Sequence, residues 1–303
     1  MSKPIIVMMV GLVGSGKSHH ADKIAEEINA TVFSSDKLRN EMFGDINDQD
    51  HNAEVFQELH KRIKDCLKSG NNAIYDATNI SSKRRCSFVQ ELNSIDCDKR
   101  CVIMATPYEQ CLENNASRDR KVPEDVIDRM YRNWNTPYWF EGWDDIEIVY
   151  WEGTENNDSV WSWLNEHMEY SQDNPHHKMT LGQHCWETSG ALADEDPLNG
   201  VMRAGLIHDC GKPYVKTFTN AKGEITDVAH YYCHENVGAY DVLFYDCGAA
   251  NQLDVSILVN LHMKPYVWEK EDNEKFRDKC RRMWGDELFA KVELLHKADK
   301  SAH

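Results

Sequence analysis

The sequence predicts a doubly wound α/β domain with a parallel sheet, followed by a second domain that is all-α. Short apolar runs alternate with helical patterns through the first half of the chain, which is the order expected of a parallel sheet with crossover helices. Strand signals almost disappear in the second half, where helical patterns dominate. Most of the fourteen histidines also fall there.

The strands of the first domain are predicted from short apolar runs. The run Ile5–Val10 is continuous and ends at Gly11, as a strand buried on both faces does. The other predicted strands cover residues 31–34, 73–76, 100–105 and 146–151. Apolar residues at helical spacing predict helices over 18–28, 37–43, 55–67, 84–92, 109–116 and 124–134.

The composition changes near residue 153. Segments 153–158 and 171–175 are polar and turn-rich, with a short helix expected between them. A length of 303 residues suits two domains, since one domain usually takes about 100–200 residues. The predicted organisation is a first domain over 1–152, a linker over 153–175 and a second domain over 176–303.

Composition and charge disfavour several classes of protein. No apolar run approaches the roughly 20 residues that span a bilayer, and the N-terminus lacks the features of a signal peptide. The expected location is therefore the cytoplasm, without a membrane partner. The ten cysteines form no Cys-x-x-Cys pair, which disfavours a zinc ribbon or a redox pair. The net charge of −17 would repel nucleic acid from most of the surface, so such a substrate would need a local basic patch.

Residues 11–18, with the sequence Gly-Leu-Val-Gly-Ser-Gly-Lys-Ser, match the P-loop pattern between a predicted strand and a predicted helix. Glycines let the backbone wrap closely around phosphate oxygens. Lys17 is expected to reach the β- and γ-phosphates of ATP, and Ser18 to bind Mg²⁺. The predicted ATP-binding residues are Gly11, Gly14, Ser15, Gly16, Lys17 and Ser18.

Polar side chains follow the second and third predicted strands, at the edge of the sheet where ligands bind. Asp36 could accept a proton from an attacking hydroxyl, or it could cap the next helix. From this residue alone, the two interpretations are equally well supported. Asp76 could help to hold Mg²⁺ through water. Thr78 and Asn79 are candidates to line an acceptor site, although each is also an ordinary turn residue.

A basic segment, residues 118–123, lies between two predicted helices and contains Arg118 and Arg120. Guanidinium groups on a mobile lid could close over a triphosphate and stabilise charge in the transition state. The alternative is a solvated basic loop, which the P-loop upstream makes the weaker interpretation.

The order of these motifs resembles that of the 5′-hydroxyl polynucleotide kinases of phage and bacteria, over roughly residues 3–150. The P-loop is followed by Ser-Asp-x-x-Arg at 35–39, Asp-Ala-Thr-Asn at 76–79, Arg-x-Arg-x-Val-Pro at 118–123 and Arg-Met-Tyr at 129–131. The resemblance implies that Asp36 is the general base on a polynucleotide 5′-hydroxyl and that Arg39 contacts the acceptor phosphate. It also implies that Arg118 and Arg120 contact the ATP phosphates.

The second half contains a His208-Asp209 pair, and adjacent imidazole and carboxylate groups can bind one metal. The order of the further histidines and of Asp299 resembles the HD superfamily of metal-dependent phosphohydrolases, over about residues 176–303. The resemblance implies one or two divalent transition metals, for which mixed imidazole and carboxylate ligands suit Mn, Fe, Ni, Co or Zn. The implied core ligands are His184, His208, Asp209 and Asp299, and the implied ligands of a second metal are His234 and His262. Lys212 and His230 are candidate substrate contacts.

Together, the two resemblances imply a bifunctional end-healing enzyme of RNA or DNA repair. It would phosphorylate 5′-hydroxyl ends with ATP and would remove 3′- or 2′,3′-cyclic phosphate, leaving ends for a ligase acting downstream. The acidic charge favours an alternative, a small-molecule nucleoside or nucleotide kinase fused to a nucleotide phosphohydrolase. A third hypothesis is a nucleotide-responsive regulatory protein whose second half only binds a ligand; the full ligand set argues against it.

Overall fold

The computed structural model of the protein describes residues 3–154, 158–175, 177–270 and 273–302. His176 and His303, the predicted limits of the second domain, lie outside these residues. The chain forms two compact units, of which the first comprises Met1–Ile127 and Pro137–Glu152, and the second Asp128–Thr136 and Gly153–His303. The predicted linker, residues 153–175, falls within the second unit, as does the short segment 128–136.

The first unit is built on a five-stranded parallel sheet, with the strand order β2-β3-β1-β4-β5. This confirms the predicted parallel α/β sheet. The strands are β1 (Ile5–Val10), β2 (Ala30–Ser34), β3 (Asn72–Asp76), β4 (Asp98–Ala105) and β5 (Asp145–Tyr150). In the register of the central strand, Met8 lies opposite Tyr75 on one side and Cys101 on the other. The carboxyl ends of β1, β2 and β3 therefore share one edge of the sheet.

The helices of this unit are α1 (Lys17–Ile28), α2 (Ser35–Phe43), α3 (Asn52–Lys68), α4 (Ser82–Glu91) and α5 (Tyr108–Ala116). The next helix, α6 (Glu124–Arg132), begins in the first unit and ends in the second. The core beneath α1 is formed by alternate residues of three strands, which share one face of the sheet. Its buried members are Val7, Met9, Ala21, Ile74, Val102 and Met104. Complete burial of one such side chain contributes roughly 1.5–3 kcal/mol, so this layer holds α1 firmly behind the loop that precedes it.

A buried ion pair joins Arg85 of α4 to Glu141, and both side chains are fully excluded from solvent. Two charge-assisted bonds of 2.7 and 2.8 Å link them, and the Trp143 indole also donates to Glu141 at 2.9 Å. A third Arg85 nitrogen donates to the carbonyl of Asn79 at 2.8 Å. The pair thus holds the turn that follows β3.

Replacement of Arg85 by methionine should lower the free energy of unfolding by about 3–5 kcal/mol, because Glu141 would be left buried without its counter-charge. Denaturant unfolding of the whole chain would measure the loss. The double variant Arg85→Met with Glu141→Leu removes both charges and should lose markedly less. Equal losses in the single and double variants would contradict this account of the pair.

The second unit is mainly helical, as predicted for this part of the chain. Its helices are α7 (Val160–Glu166), α8 (Leu181–Gly190), α9 (Val201–Ile207), α10 (Lys212–Val215), α11 (His234–Asp241), α12 (Gln252–Leu261), α13 (Lys264–Lys270), α14 (Glu274–Trp284) and α15 (Asp286–Ser301). In the described part of the chain, no helix is long and apolar enough to cross a membrane.

Four short strands correct the prediction of an all-α second domain. The strands β6 (Asp158–Ser159) and β9 (Tyr245–Asp246) pair in parallel, whereas β7 (Thr217–Thr219) and β8 (Ile225–His230) pair in antiparallel fashion. The turn between β7 and β8 contains Gly223 in a left-handed conformation, at φ 83°. Three of these strands have only two or three residues, and β8 has six but no apolar run, so none gives a clear sequence signal.

Aromatic packing assigns the segment 128–136 to the second unit. The Tyr131 ring lies 5.5 Å from the ring of Tyr240, and the buried Trp134 ring lies 4.9 Å from it. The Asn236 side chain donates to the carbonyl of Arg132 at 2.8 Å. The motif at 129–131 therefore folds with the second unit and not with the P-loop unit, in which the resemblance had included it.

Candidate functional sites

The P-loop runs from the end of β1 to the start of α1, and its glycines are required by the backbone. Gly14 and Gly16 have φ angles of 86° and 85°, a region that suits glycine. A Cβ atom on Gly14 would lie 2.2 Å from the carbonyl oxygen of Cys111. Asn114 donates to the carbonyl of Gly14 at 2.8 Å, and Thr106 to that of Ser15 at 3.1 Å. The loop is thus held open as a cradle of backbone N–H groups at a helix N-terminus, which is a site for phosphate.

Lys17 begins α1, and its ammonium group is buried inside this cradle. It donates to the carbonyl of Leu12 at 2.6 Å and lies 3.4 Å from the Ser15 hydroxyl. Burial lowers the pKa of Lys17 to about 8, although the charge of Asp76 opposes this shift. A bound phosphate would supply the negative charge that this ammonium needs, so the loop is prepared for an anion.

A hydroxyl and a carboxylate meet beside the P-loop. Ser18 donates to Asp76 at 2.8 Å, and Asp76 ends β3 with only 6% of its surface exposed. Such oxygen ligands fit Mg²⁺, which is commonly held by one or two protein groups together with substrate phosphates. Thr78 and Asn79 brace the same region, since the carbonyl of Thr78 accepts from the Gly11 N–H and the Asn79 amide donates to Met9.

Asp36 lies in the first turn of α2, at the same edge of the sheet. Its two carboxylate oxygens accept from Arg39 at 2.8 Å and from Arg120 at 2.6 Å. Arg39 is itself buried and also donates to Asn52 at 2.8 Å. Asp36 therefore belongs to a cluster of guanidinium groups, while about half of its own side chain stays open to solvent.

The basic segment 118–123 is brought to this cluster by one of its two arginines. Arg120 reaches Asp36 and also donates to the side chain of Asn47 at 2.8 Å and to the carbonyl of Ile46 at 3.2 Å. Arg118 is exposed on the same segment. The structure thus joins Arg120 to Asp36 and leaves Arg118 exposed.

A second group of chemically active residues lies inside the second unit. Five helices or their ends supply it, and each of its members is at most 5% exposed. The members are His184 from α8, His208 and Asp209 after α9, His234 at the start of α11, His262 after α12 and Asp299 from α15. The structure therefore brings together all six residues that the sequence resemblance implied as metal ligands, and we call this group the His–Asp cluster.

Asp209 lies between two halves of the His–Asp cluster. Its Oδ2 atom is 3.6 Å from His184 Nε2 and 3.4 Å from His208 Nε2. Its Oδ1 atom is 3.2 Å from His234 Nε2 and 3.8 Å from His262 Nε2. One carboxylate thus faces two pairs of imidazoles, and each pair with Asp209 forms a group that could hold a metal ion.

The remaining atoms of the cluster are also oriented for metal binding. Asp299 Oδ1 lies 3.0 Å from His184 Nε2, which adds a second carboxylate to one half. The Nδ1 atom of each histidine lies next to a backbone carbonyl, at distances of 2.7–3.3 Å. Such contacts fix the ring and direct Nε2 inwards, as they do in metal-binding histidines. This donor set fits two divalent transition metals that share Asp209.

Charge and burial favour the ligand forms of Asp209 and His262, whereas at His208 burial is outweighed by the Asp209 carboxylate, which raises the pKa well above its usual range. Burial alone would favour the neutral acid at Asp209, but the charges of Lys212 and His208 outweigh it and hold its pKa well below the usual range. Burial, with the charges of His234 and His208, lowers the pKa of His262 to about 3. An ionised carboxylate and a neutral imidazole are the forms that bind metals.

Lys212 contacts Asp209 of the His–Asp cluster, whereas the His230 side chain contacts Thr226. The Lys212 ammonium is 2.6 Å from Asp209 Oδ2 and 2.9 Å from Gln172 Oε1. His230 ends β8, with Nε2 3.3 Å from the Thr226 hydroxyl. Sequence reasoning missed Gln172 and also Tyr266, whose hydroxyl donates to Asp299 at 2.8 Å. Neither residue belongs to a motif, so no local signal marked it.

Comparison with known proteins finds a matching family model and several kinases that resemble this chain. Residues 6–137 match the family described as AAA domain. A curated relative, the L-seryl-tRNA(Sec) kinase of Methanococcus maripaludis, is 25% identical over 176 residues, which cover 56% of this chain and 67% of the relative. A solved structure of the Pnkp1/Rnl/Hen1 RNA repair complex is 20% identical, with a TM-score of 0.38 over 44% of each chain. A sugar kinase from Janibacter sp. is 14% identical, with a TM-score of 0.39 over 48% of this chain and 85% of that one. The first unit of the chain is thus a kinase-type P-loop domain.

Proposed function

We propose that the chain is a bifunctional nucleic-acid end-healing enzyme. Its first unit would phosphorylate 5′-hydroxyl ends, and its second would act as an HD-type phosphohydrolase that removes 3′- or 2′,3′-cyclic phosphate. Two features that occur together in this chain carry the proposal. One is the P-loop with the nearby Asp36 carboxylate, and the other is the buried His–Asp cluster. The first feature adds phosphate to a hydroxyl, and the second suits its removal.

In the kinase reaction, the P-loop holds the ATP phosphates and Lys17 contacts the β- and γ-phosphates. Ser18 and Asp76 would hold Mg²⁺, and this ion would neutralise charge on the transferred phosphoryl group. Asp36 accepts the proton of the acceptor hydroxyl as the hydroxyl oxygen bonds to the γ-phosphorus, while the bond from that phosphorus to the bridging oxygen breaks and ADP leaves. Arg120 occupies one oxygen of Asp36, and its transfer to the ATP phosphates would free that oxygen for the proton.

Two observations support a nucleic-acid acceptor. The curated relative is named as a kinase of a seryl-tRNA, so its acceptor is a group carried by RNA. In this chain, Arg39 is buried, and its Nε has no hydrogen-bond partner among the described residues. A buried N–H without a partner is costly, and a phosphate of the acceptor strand would supply that partner. The unpartnered Nε supports Arg39 as the contact to the acceptor phosphate.

In the second reaction, the four histidines and two aspartates of the His–Asp cluster would hold two metals. Bound metals would polarise a water molecule and the phosphate oxygens. Lys212 lies 2.6 Å from Asp209 and is placed to bind a phosphate oxygen as a point charge. Gln172 holds the Lys212 ammonium in position from the other side. Burial of the whole cluster strengthens these electrostatic contacts.

One observation favours a second candidate, a small-molecule nucleoside or nucleotide kinase fused to a nucleotide phosphohydrolase. The net charge of −17 repels a polyanion more strongly than it repels a mononucleotide. A polynucleotide would therefore have to be drawn to the arginines around Asp36 against the field of the remaining surface.

The two candidates differ in the acceptor of the γ-phosphate. The protein is incubated with γ-labelled ATP, Mg²⁺, a 5′-hydroxyl oligonucleotide and free nucleosides in one mixture. Label on the oligonucleotide supports the end-healing enzyme, and label on monomers alone overturns it in favour of the small-molecule kinase. Parallel RNA and DNA oligonucleotides identify the preferred strand. The Lys17→Ala variant serves as the control for contaminating kinase activity.

A further inference from the structure

A tyrosine of the second unit contacts the His–Asp cluster at one of its carboxylates. Tyr266 lies on α13, and its hydroxyl donates to Asp299 Oδ2 at 2.8 Å. The other oxygen of the same carboxylate, Oδ1, lies 3.0 Å from His184 Nε2 and 3.7 Å from His208 Nε2. The two oxygens of Asp299 therefore have different surroundings, because Oδ1 lies beside imidazoles of the cluster and Oδ2 is bound by the tyrosine.

The ring of this tyrosine is held by the same helix that supplies Asp299. His296 and Asp299 are three positions apart on α15, so their side chains are neighbours on one face of that helix. The Tyr266 ring packs against His296, with ring centroids 4.5 Å apart and the ring planes at 88°. His296 is only 4% exposed, and its Nε2 lies 3.0 Å from Glu269 Oε1. The position of the Tyr266 hydroxyl is therefore fixed by packing as well as by its own hydrogen bond.

The hydroxyl contact determines which oxygen of Asp299 is offered to a cation. An ionised carboxylate only accepts hydrogen bonds, so the Tyr266 hydroxyl is the donor and engages Oδ2. This contact fixes the plane of the carboxylate and leaves Oδ1 as the oxygen beside His184 and His208. Hydrogen bonds that orient metal-binding groups act in this way, and their loss reduces metal affinity about 10- to 100-fold. Tyr266 therefore makes the contacts of a residue that prepares Asp299 for a metal ion.

The His–Asp cluster has two halves that share Asp209, a first half with His184 and His208 and a second half with His234 and His262. Asp299, and with it the Tyr266 contact, lies on the side of the first half. We propose that Tyr266 is a positioning residue for the metal of the first half, whose ligand Asp299 it orients, and not for the metal of the second half. This inference rests on the proposed phosphohydrolase function and deepens it, because it makes the two metal positions unequal.

The test measures the binding of Mn²⁺ by calorimetric titration of the whole chain and does not depend on activity. Because Asp209 is shared, the halves are measured one at a time, in two background variants. His234→Ala removes a ligand of the second half, and His184→Ala removes a ligand of the first. In the His234→Ala background, Tyr266→Phe should weaken Mn²⁺ binding about 10- to 100-fold, since the ring stays and only the orienting hydroxyl is lost. In the His184→Ala background, the same replacement should leave the dissociation constant unchanged.

The matched control is Tyr214→Phe, which removes a hydroxyl that donates to Asp128 at 2.8 Å. It should leave Mn²⁺ binding unchanged in both backgrounds. Thermal unfolding without metal checks that each variant is folded. If a background variant does not fold, Tyr266→Phe in the otherwise unchanged cluster still tests the proposal, because the overall affinity for Mn²⁺ should fall by at least about tenfold there and remain unchanged in Tyr214→Phe.

Equal Mn²⁺ binding with and without the hydroxyl in the His234→Ala background would overturn the positioning role of Tyr266 and leave the proposed phosphohydrolase in place. A loss of the same size in both backgrounds would also overturn it, since that result indicates a general disturbance of packing. If the wild-type protein binds Co²⁺ or Zn²⁺ in place of Mn²⁺, the same titrations use that ion. A wild-type protein that binds none of the three overturns the metal cluster itself, and the proposed phosphohydrolase function with it.

Discussion

Replacement of Asp209 by alanine is expected to reduce phosphate release from 3′-phosphate and 2′,3′-cyclic phosphate ends by more than about 100-fold. Asp209 faces all four imidazoles of the His–Asp cluster, so its removal deprives both halves of their shared ligand. Transfer of phosphate from ATP should remain at the wild-type rate, because the P-loop lies in the other unit. Parallel assays of phosphate release and of oligonucleotide labelling measure both effects on one preparation.

A thermal-shift measurement provides a readout that does not depend on activity. Mn²⁺ should raise the unfolding temperature of the wild-type protein, since a ligand that binds only the folded state stabilises it. The shift should disappear in Asp209→Ala and remain in Asp227→Ala, which removes an exposed aspartate of β8. Phosphate release that persists in Asp209→Ala would show that the HD assignment is wrong.

Replacement of Asp36 by asparagine should lower kcat of the kinase reaction by about 100- to 10,000-fold, the usual contribution of a general base. Asparagine has nearly the same shape and can still accept a hydrogen bond from Arg39 or Arg120, but it cannot take up the proton of the acceptor hydroxyl. The KM for ATP should change little, because the phosphates lie on the P-loop. Steady-state labelling at varied ATP and acceptor concentrations separates the two parameters.

The matched control for Asp36 is Asp22→Asn, which alters an exposed carboxylate on α1. It should leave kcat unchanged. If Asp36→Asn loses less than about tenfold in kcat, Asp36 is not the base. Its interaction with the two arginines would then be structural, a role different from the helix cap that the sequence alone had left open.

The parallel sheet was predictable because strands buried on both faces are continuous apolar runs, such as Ile5–Val10. The P-loop was predictable because its glycines are needed locally, at positions where the backbone turns into a helix. Both features depend on residues close together in the sequence. Predicted and observed strand limits accordingly differ by only one or two residues at each end.

Contacts between distant residues had no such signal. Arg85 and Glu141 are 56 positions apart, and neither belongs to a motif, so their buried pairing emerges only in the folded chain. The same holds for Gln172 and Lys212, which are 40 positions apart. The assignment of 128–136 to the second unit depends on the packing of Trp134 against Tyr240, and helical periodicity does not reveal which core a helix joins.

The position of Asp209 has a consequence for how the second unit would respond to metal concentration. Because one carboxylate serves both halves of the His–Asp cluster, an ion in one half fixes the oxygen offered to the other. Occupancy of the two halves is then thermodynamically coupled, and the coupling is reciprocal. Metal uptake should therefore not fit two independent isotherms, and the sign of the coupling depends on whether the ordering of Asp209 by the first ion outweighs the repulsion between the two ions.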